Sequence, residues 1–358
     1  MFSYIIEHNR FFNIIGVIAV LGIAWLFSKN RQAINWRLVV NALLLQFSIG
    51  FFILRTDIGK FLVGSVAGAV QLLYGFAEKG SAFVFGNLAN PAGGWGFIFA
   101  VKVLPIIIFF GALMSALFYL GIVQKCVTGV SCMVRPLLGT SGAETLCAIA
   151  NSFLGQTEAP LLIRSYLPAM TRSEILLVMV SGMGTISGAI LAVFAAMGVP
   201  AVHLLAASVM AIPSTILISK ILYPETENPQ TVAGQCAAEE KRSGNLLDAI
   251  STGTSDGLYL ALNVGAMLIA FISLIALLNA LLGNVGIYLN ELLSFVGVGP
   301  LLPDISLDSI FGTLFAPFGY LLGFSGAEAR LIGQLLGTKV TVNELIAYDQ
   351  MLSMPLSP

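Results

Sequence analysis

The sequence predicts an all-α polytopic membrane protein with two re-entrant helical hairpins and broken helices. Three observations carry this. Of 358 residues, 57% are hydrophobic and 10% charged, with mean hydropathy +0.93, whereas soluble domains carry about 25% charge. Several apolar runs approach or exceed the roughly 20 residues that a spanning helix needs. Two further apolar stretches, Ser141–Met170 and Leu307–Gly337, are interrupted by polar residues, Gly and Pro, so that each arm is too short to cross alone. The net charge of −1 offers no basic surface for nucleic acid.

The candidate spans, in order, are Phe12–Phe27, Trp36–Leu54, Phe97–Val123, Ile175–Val199, Val202–Tyr223 and Leu258–Leu282. The first is short, but it lacks a small-residue cleavage site and runs into the basic turn "SKNRQAINWR", so it reads as a retained span rather than a secretory signal. Lys29, Arg31 and Arg37 have no acid among them, which places that loop in the cytoplasm and the N-terminus outside. Ile58–Ala77 mixes glycine, Lys60 and Gln71 with apolar residues and reads as an amphipathic interfacial helix. Lys102, near the start of a span, reads as snorkelling. Pro224–Asn245 is polar and reads as a flexible aqueous linker. Cys126, Cys132, Cys147 and Cys236 form no CxxC and read as small buried residues. The two histidines are His8 and His203. They argue against a His-based metal or acid–base centre, and His203 reads as interfacial or packed.

Non-helical backbone at membrane depth is tolerated only where it lines protein or a water-filled cavity. In Ser141–Met170 the polar centre forms the hairpin tip, and in Leu307–Gly337 the centre is Ala316–Gly323. The signature "SGAE" occurs at Ser141–Glu144 and again at Ser325–Glu328, followed by Glu158 and Glu344 respectively. Interrupted segments in corresponding halves point to an inverted-repeat secondary transporter with its site between the repeats. Chance recurrence of common small residues is the alternative. With the family resemblance given below, the chain divides into N-terminal spans, interfacial helices and a scaffold span (1–140), a first repeat (141–223), the linker (224–245), a scaffold span with an interfacial helix (246–300) and an incomplete second repeat (301–358).

Three constellations carry chemistry. "NSFLGQTEAP" (Asn151–Pro160) sets the amide of Gln156, the hydroxyl of Thr157 and the carboxylate of Glu158 in a row; charges inside a membrane face a cavity or a partner. Gly155 allows close backbone approach, and Asn151 can help hold a cation. The bland alternative is a polar knot that pins the tip. "SGMGTISGAI" (Ser181–Ile190) is either a small-residue packing face or a broken helix whose freed carbonyls, with the Thr185 hydroxyl, take a hard alkali ion. "GTKVTVNELIAY" (Gly337–Tyr348) supplies Asn343 and Glu344. Lys339 either pairs with Glu328 or Glu344 or snorkels.

"GQTEAP" after "IANSFL", "GTISGAIL" in the next span and "GTKVTVNELIAY" late in the chain resemble the concentrative nucleoside transporter family, in its bacterial sodium-coupled form. "SKNRQAINWR", "GTSGAE", "HLLAASVM" and "PETE" agree with its bacterial members, so the resemblance covers essentially the whole chain. It implies import of nucleosides across the bacterial inner membrane, coupled to a sodium or proton gradient, by a homotrimer. A scaffold would hold the trimer and a transport domain would move like an elevator. It further implies a base site at Gly155, Gln156, Thr157, Glu158 and Ile190, and ribose contacts at Glu344 beside Asn343. A sodium site would form from Asn151, the Leu154 carbonyl, Thr185 and the Ile186 carbonyl. Thr185 stands where the family often has serine and keeps the hydroxyl, which favours sodium. No cofactor beyond the coupling ion is implied. In one respect the sequence departs: the family continues past "NELIAY" into a last span with an Asn- and Ser-containing motif, which the 358 residues lack. The chain thus reads as a fragment or a shortened protein. Carriage of another small polar solute, a non-transporting remnant, and a membrane-embedded enzyme using Glu158 and Glu344 as acid and base are the competing readings.

Overall fold

The computed structural model of the chain describes residues 11–89, 94, 98–156, 158–164, 166–231, 244–295 and 305–354. Its α-helices run in the order α1 (Phe11–Leu26), α2 (Trp36–Arg55), α3 (Asp57–Phe85), α4 (Phe99–Lys102), α5 (Leu104–Tyr119), α6 (Ile122–Leu138), α7 (Gly142–Asn151) and α8 (Arg172–Gly184). They continue with α9 (Gly188–Ala196), α10 (Ala201–Leu222), α11 (Leu246–Phe295), α12 (Leu307–Leu314), α13 (Ala316–Leu321), α14 (Gly326–Thr341) and α15 (Glu344–Ser353). Among the described residues there is no strand. Among the described residues, six helical segments are long and apolar enough to cross a membrane: Trp36–Arg55, Asp57–Ala89, Phe99–Tyr119, Arg172–Ala196, Ala201–Leu222 and Leu246–Tyr288. The fold is therefore the expected all-α, multi-span one. The helices form two compact units, Ile23–Leu262 and Met1–Gly22 with Asn263–Pro358.

In the unit Ile23–Leu262, α10 is the central helix, half of it buried, and it packs on α2 and α8. Thr56 closes α2 and opens α3: its N–H donates to Phe52 O while its hydroxyl accepts from Gly59 N at 3.0 Å. Gly59 is required there, because a Cβ would collide with the Phe52 carbonyl. The stretch expected to lie in the interface, Ile58–Ala77, is part of this longer helix, whose 29 residues have the length and composition of a span. Lys102 does not snorkel. It is buried, and its Nζ sits 3.3 Å from Glu78 Oε1 on α3; an ammonium beneath an apolar helix is retained where a carboxylate pairs with it. The chain kinks at Val103, and α5 then meets the start of α11 through glycines. A Cβ on Gly111 would lie 2.7 Å from Gly253 O and 3.0 Å from the Gly257 Cα. Gly253 and Gly257 thus form a small-xxx-small face of the kind that lets membrane helices touch backbone to backbone.

Among the described residues the two arms of the first hairpin differ in helix type. All ten residues of α7 are buried, and a complete Ser141–Glu144 capping box starts the helix. The returning chain makes only 3-10 turns, Ala159–Ile163 and Leu167–Ala169. Pro160 and Pro168 lack the N–H that a continuing α-helix would need. The linker also differs from expectation. Its first part is docked: the Thr231 carbonyl accepts from Gly142 N at 3.2 Å and its hydroxyl accepts from Ala143 N at 3.1 Å, which satisfies donors exposed at the start of α7. Residues 232–243, including Cys236, lie outside the described residues. Of the other cysteines, Cys147 is buried as expected, but Cys126 and Cys132 on α6 are exposed. His203 is exposed near the start of α10.

In the unit formed by Met1–Gly22 and Asn263–Pro358, α12, α13 and α14 make the second hairpin, with its turn at Leu322–Ser325. Asn279 Oδ1 of α11 accepts from Leu307 N at 2.8 Å and so anchors the start of α12. Glycines let the arms close. A Cβ on Gly312 would meet Arg330 O at 3.2 Å, one on Gly333 would meet Ala316 N at 2.7 Å, and one on Gly319 would collide with Ala329 O. Lys339 is exposed and forms no ion pair with Glu328 or Glu344 among the described residues. The two "SGAE" copies do not occupy equivalent places: Ser141 precedes the first arm of its hairpin, whereas Ser325 precedes the second arm of its own. Both are N-cap positions, and S-x-x-E is a helix-start signal. Both copies begin helices, but only Ser141 closes a capping box; the Ser325 side chain makes no cap hydrogen bond.

Replacing Gly319 by valine is expected to destabilise this hairpin by about 1–3 kcal/mol through overpacking. Gly75→Ala, where a Cβ would meet nothing within 4 Å, is expected to be neutral or mildly stabilising. Thermal unfolding of the two purified variants checks the contrast.

Candidate ion and solute site

The polar segment between the two arms of the first hairpin meets the break in the span Arg172–Ala196. That span is broken because Thr185 leaves the helix in an extended conformation and Ser187 restarts it as an N-cap, its hydroxyl accepting from Ile190 N at 3.4 Å. The hairpin is fixed against the restart by Phe153 O, which accepts from Gly188 N at 3.0 Å. Two glycines make the approach possible. Gly155 has φ +107°, and a Cβ there would lie 2.9 Å from Ser187 Cβ; a Cβ on Gly182 would lie 2.8 Å from Gln156 Cβ.

Asn151, the last residue of α7, is fully buried. Its Nδ2 donates to Ser181 Oγ at 2.8 Å, and Ser181 Oγ in turn donates to Val178 O at 3.0 Å. The serine proton is thus committed, which fixes the amide orientation and leaves Asn151 Oδ1 buried without a hydrogen-bond partner. A buried unsatisfied carbonyl costs roughly 1–3 kcal/mol. Oδ1 lies 3.9 Å from a Cβ position on Gly182, so it faces the end of α8. Thr185 Oγ1 donates to Ser181 O at 2.8 Å, and Ser208 Oγ of α10 donates to Ile186 O at 3.4 Å. The C-terminal ends of α7 and α8 both finish here, and each helix C-terminus carries about half a negative charge. Together with the Asn151 amide oxygen, the environment is one of neutral oxygens and negative dipole ends, which suits a small monovalent cation.

The structure therefore brings Asn151, Leu154, Thr185 and Ile186 into one neighbourhood, with Gly155, Gln156 and Ile190 beside it. Leu154 is buried, Gln156 and Glu158 are exposed, and Ile190 is half-buried in the first turn of α9. Thr157 lies outside the described residues. Asn343 and Glu344 belong to the other unit. Asn343 is the N-cap of α15, its Oδ1 accepting from Ile346 N at 2.9 Å, and Glu344 is exposed in the first turn. The Asn343 carbonyl oxygen is thus engaged by the helix, and its NH2 remains as a donor. Sequence reasoning did not single out Ser181 or Ser208. Each is a serine in an apolar span, and the available signal was the helical spacing that sets Ser181 one turn before Thr185.

Three family models match adjacent parts of the chain: "Na+ dependent nucleoside transporter N-terminus" at residues 15–88, "Nucleoside recognition" at 100–201 and "Na+ dependent nucleoside transporter C-terminus" at 203–357. The chain is 45% identical over 337 residues to an uncharacterized transporter of Haemophilus influenzae, covering 94% of this chain and 78% of that protein. It is 39% identical over 348 residues to the nucleoside permease NupC of Helicobacter pylori, covering 96% and 80%. Human solute carrier family 28 member 3 is 36% identical over 337 residues, covering 94% of this chain and 46% of that longer protein. Among solved structures, CNTnw in an inward-facing substrate-bound state superposes with a TM-score of 0.87 at 37% identity, covering 97% of this chain and 81% of that one. Matches of this depth along nearly the full sequence, on the geometry described above, mean that the chain belongs to the sodium-dependent, concentrative nucleoside transporter family.

Proposed function

We propose that this protein imports nucleosides across a bacterial inner membrane by symport with sodium, as a homotrimer whose transport domain moves like an elevator. The observation that carries the reading is the partnerless Asn151 Oδ1, buried where α7 and α8 end. In a family of sodium-dependent nucleoside transporters, an oxygen left in that state is accounted for by an ion. Sodium would take Asn151 Oδ1, the Leu154 and Ile186 carbonyls and the Thr185 hydroxyl, whose lone pairs stay available while its proton is held by Ser181 O. Neutral oxygen ligands favour sodium over a proton, since none of the four can titrate near neutral pH.

Gly155, Gln156, Thr157 and Glu158 would bind the base, with Ile190 packing against its face. Asn343 and Glu344 would bind the ribose, the carboxylate accepting from sugar hydroxyls. The nearby family member from Helicobacter pylori is described as a nucleoside permease, which supports nucleosides over other polar solutes.

Two outcomes are expected. Thr185→Ala removes one oxygen ligand and raises the sodium concentration for half-maximal uptake by roughly tenfold, since about 1.4 kcal/mol is a factor of ten. An unchanged sodium titration in proteoliposomes removes Thr185 from the site. Glu344→Gln keeps the shape of the side chain but not its charge, and is expected to abolish uptake of labelled uridine and adenosine while the protein still inserts and keeps its oligomeric state. Normal uptake by that variant overturns the ribose assignment.

A further inference from the structure

At the end remote from the tip, the first hairpin begins in a buried charged cluster to which the transport reading assigns no task. Glu144 and Glu174 are each 1% exposed, and Lys220 of α10 is 6% exposed. Lys220 Nζ lies 2.7 Å from Glu144 Oε2 and 3.5 Å from Glu225 Oε2, and donates to Ser173 Oγ at 2.9 Å. Ser141 N donates to Glu144 Oε1 at 2.8 Å, and Thr171 N donates to Glu174 Oε2 at 2.8 Å. These are two capping boxes, one starting α7 and one starting α8. The Ser141 hydroxyl crosses between them and donates to Glu174 Oε1. The Thr171 hydroxyl donates to Glu225 Oε2 at 2.8 Å, and so joins the docked start of the linker to the same cluster.

The charges balance in a way that explains their burial. Each of the two deep carboxylates sits at a helix N-terminus, which carries about half a positive charge. The two N-termini and the ammonium of Lys220 together offset Glu144 and Glu174. Glu225 is the more exposed, outer member, at 25%.

The direction of the two helices gives the cluster a consequence at a distance. α7 and α8 both start here. With 10 and 13 residues, they run about 15 and 20 Å to the ends where Asn151 Nδ2 meets Ser181 Oγ. A hydrogen-bonded helix transmits the position of its start to its end. We infer that Lys220 is a positioning residue for the cation: by clamping the starts of α7 and α8 to α10, it sets the separation of their C-terminal ends and hence of the oxygens around Asn151 and Thr185. The inference rests on the sodium reading and goes beyond it, because Lys220 touches neither ion nor solute.

The test uses the full chain and two readouts: thermal stabilisation by sodium, titrated against choline at constant ionic strength, and uptake of labelled nucleoside into proteoliposomes. Lys220→Met is expected to raise the half-saturating sodium concentration about tenfold, with maximal uptake at saturating sodium within about twofold of wild type. Glu144→Gln with Lys220→Met removes the clamp but leaves Glu144 uncharged, and is expected to raise it only about threefold. If Lys220→Met does not fold, the double variant carries the test. A folded variant whose sodium titration matches wild type, or which loses maximal rate alone, overturns the inference. A wild-type protein that responds to sodium but takes up no nucleoside sinks the nucleoside reading, and the thermal titration still decides the role of Lys220. A wild type with no sodium response overturns the inference together with the ion site.

Discussion

Burying the polar backbone of a helix that is too short to cross the membrane is the constraint on which the rest of this structure depends. Within hydrocarbon every unpaired N–H or C=O costs several kcal/mol. All ten residues of α7 are buried, so protein must answer for both of its ends. The starting end is closed completely. Glu144 returns to Ser141 N, Thr231 takes Gly142 N and Ala143 N, and Lys220 neutralises the carboxylate that the cap requires. At the finishing end the Ile149 and Ala150 carbonyls accept from the N–H groups of Ser152, Phe153 and Leu154, but the side-chain oxygen Asn151 Oδ1 is left over. On the proposed reading, that leftover oxygen is where the ion is held. It lies at a helix C-terminus, whose dipole favours a cation.

The same constraint explains the use of small residues. Lipid supplies no hydrophobic drive for helices to associate, so close packing has to. Gly111 against Gly253 and Gly257 joins α5 to α11, and Gly312, Gly319 and Gly333 close the second hairpin. At the ion end the glycines also have a chemical role. Gly182 leaves room for Gln156, and Gly155 adopts a φ of +107° that L side chains rarely take, which on the proposed reading carries the chain from ion ligands to solute ligands within a few residues.

The class of protein, five of the six expected spans and the two polar interruptions were legible because they rest on composition and run length, which are properties of the chain alone; the expected span Phe12–Phe27 forms a shorter apolar helix of 16 residues. Of the proposed ion ligands, Asn151 and Thr185 were legible as polar groups in apolar segments, whereas the Leu154 and Ile186 carbonyls were legible only through motif resemblance; that the four meet at a helix break depends on tertiary contacts. What misled was partnership. Lys102 looked like a snorkelling residue because its partner Glu78 is on a different helix. The linker looked flexible because nothing in "PETENPQT" announces that Glu225 and Thr231 complete helix starts far away in sequence. The "SGAE" copies share a helix-start signal, yet they precede different arms of their two hairpins and only the first is completed as a capping box. Local signals are ambiguous wherever their meaning is fixed by what they touch.

On the proposed reading, the arrangement also explains why ion and solute should depend on each other without any long pathway. Asn151 and Leu154 face the ion, and Gln156 and Glu158 face the solute. They occupy one short segment whose backbone is pinned at Phe153 by Gly188. An ion that satisfies Asn151 Oδ1 removes the only reason for that amide to seek another partner, and so narrows the conformations open to the residues that follow. Solute then meets a tip already ordered, and by linkage must tighten the ion by the same factor. Were Asn151 and Leu154 on a different element from Gln156 and Glu158, their coupling would have to pass through packing alone; between these four the covalent chain carries it.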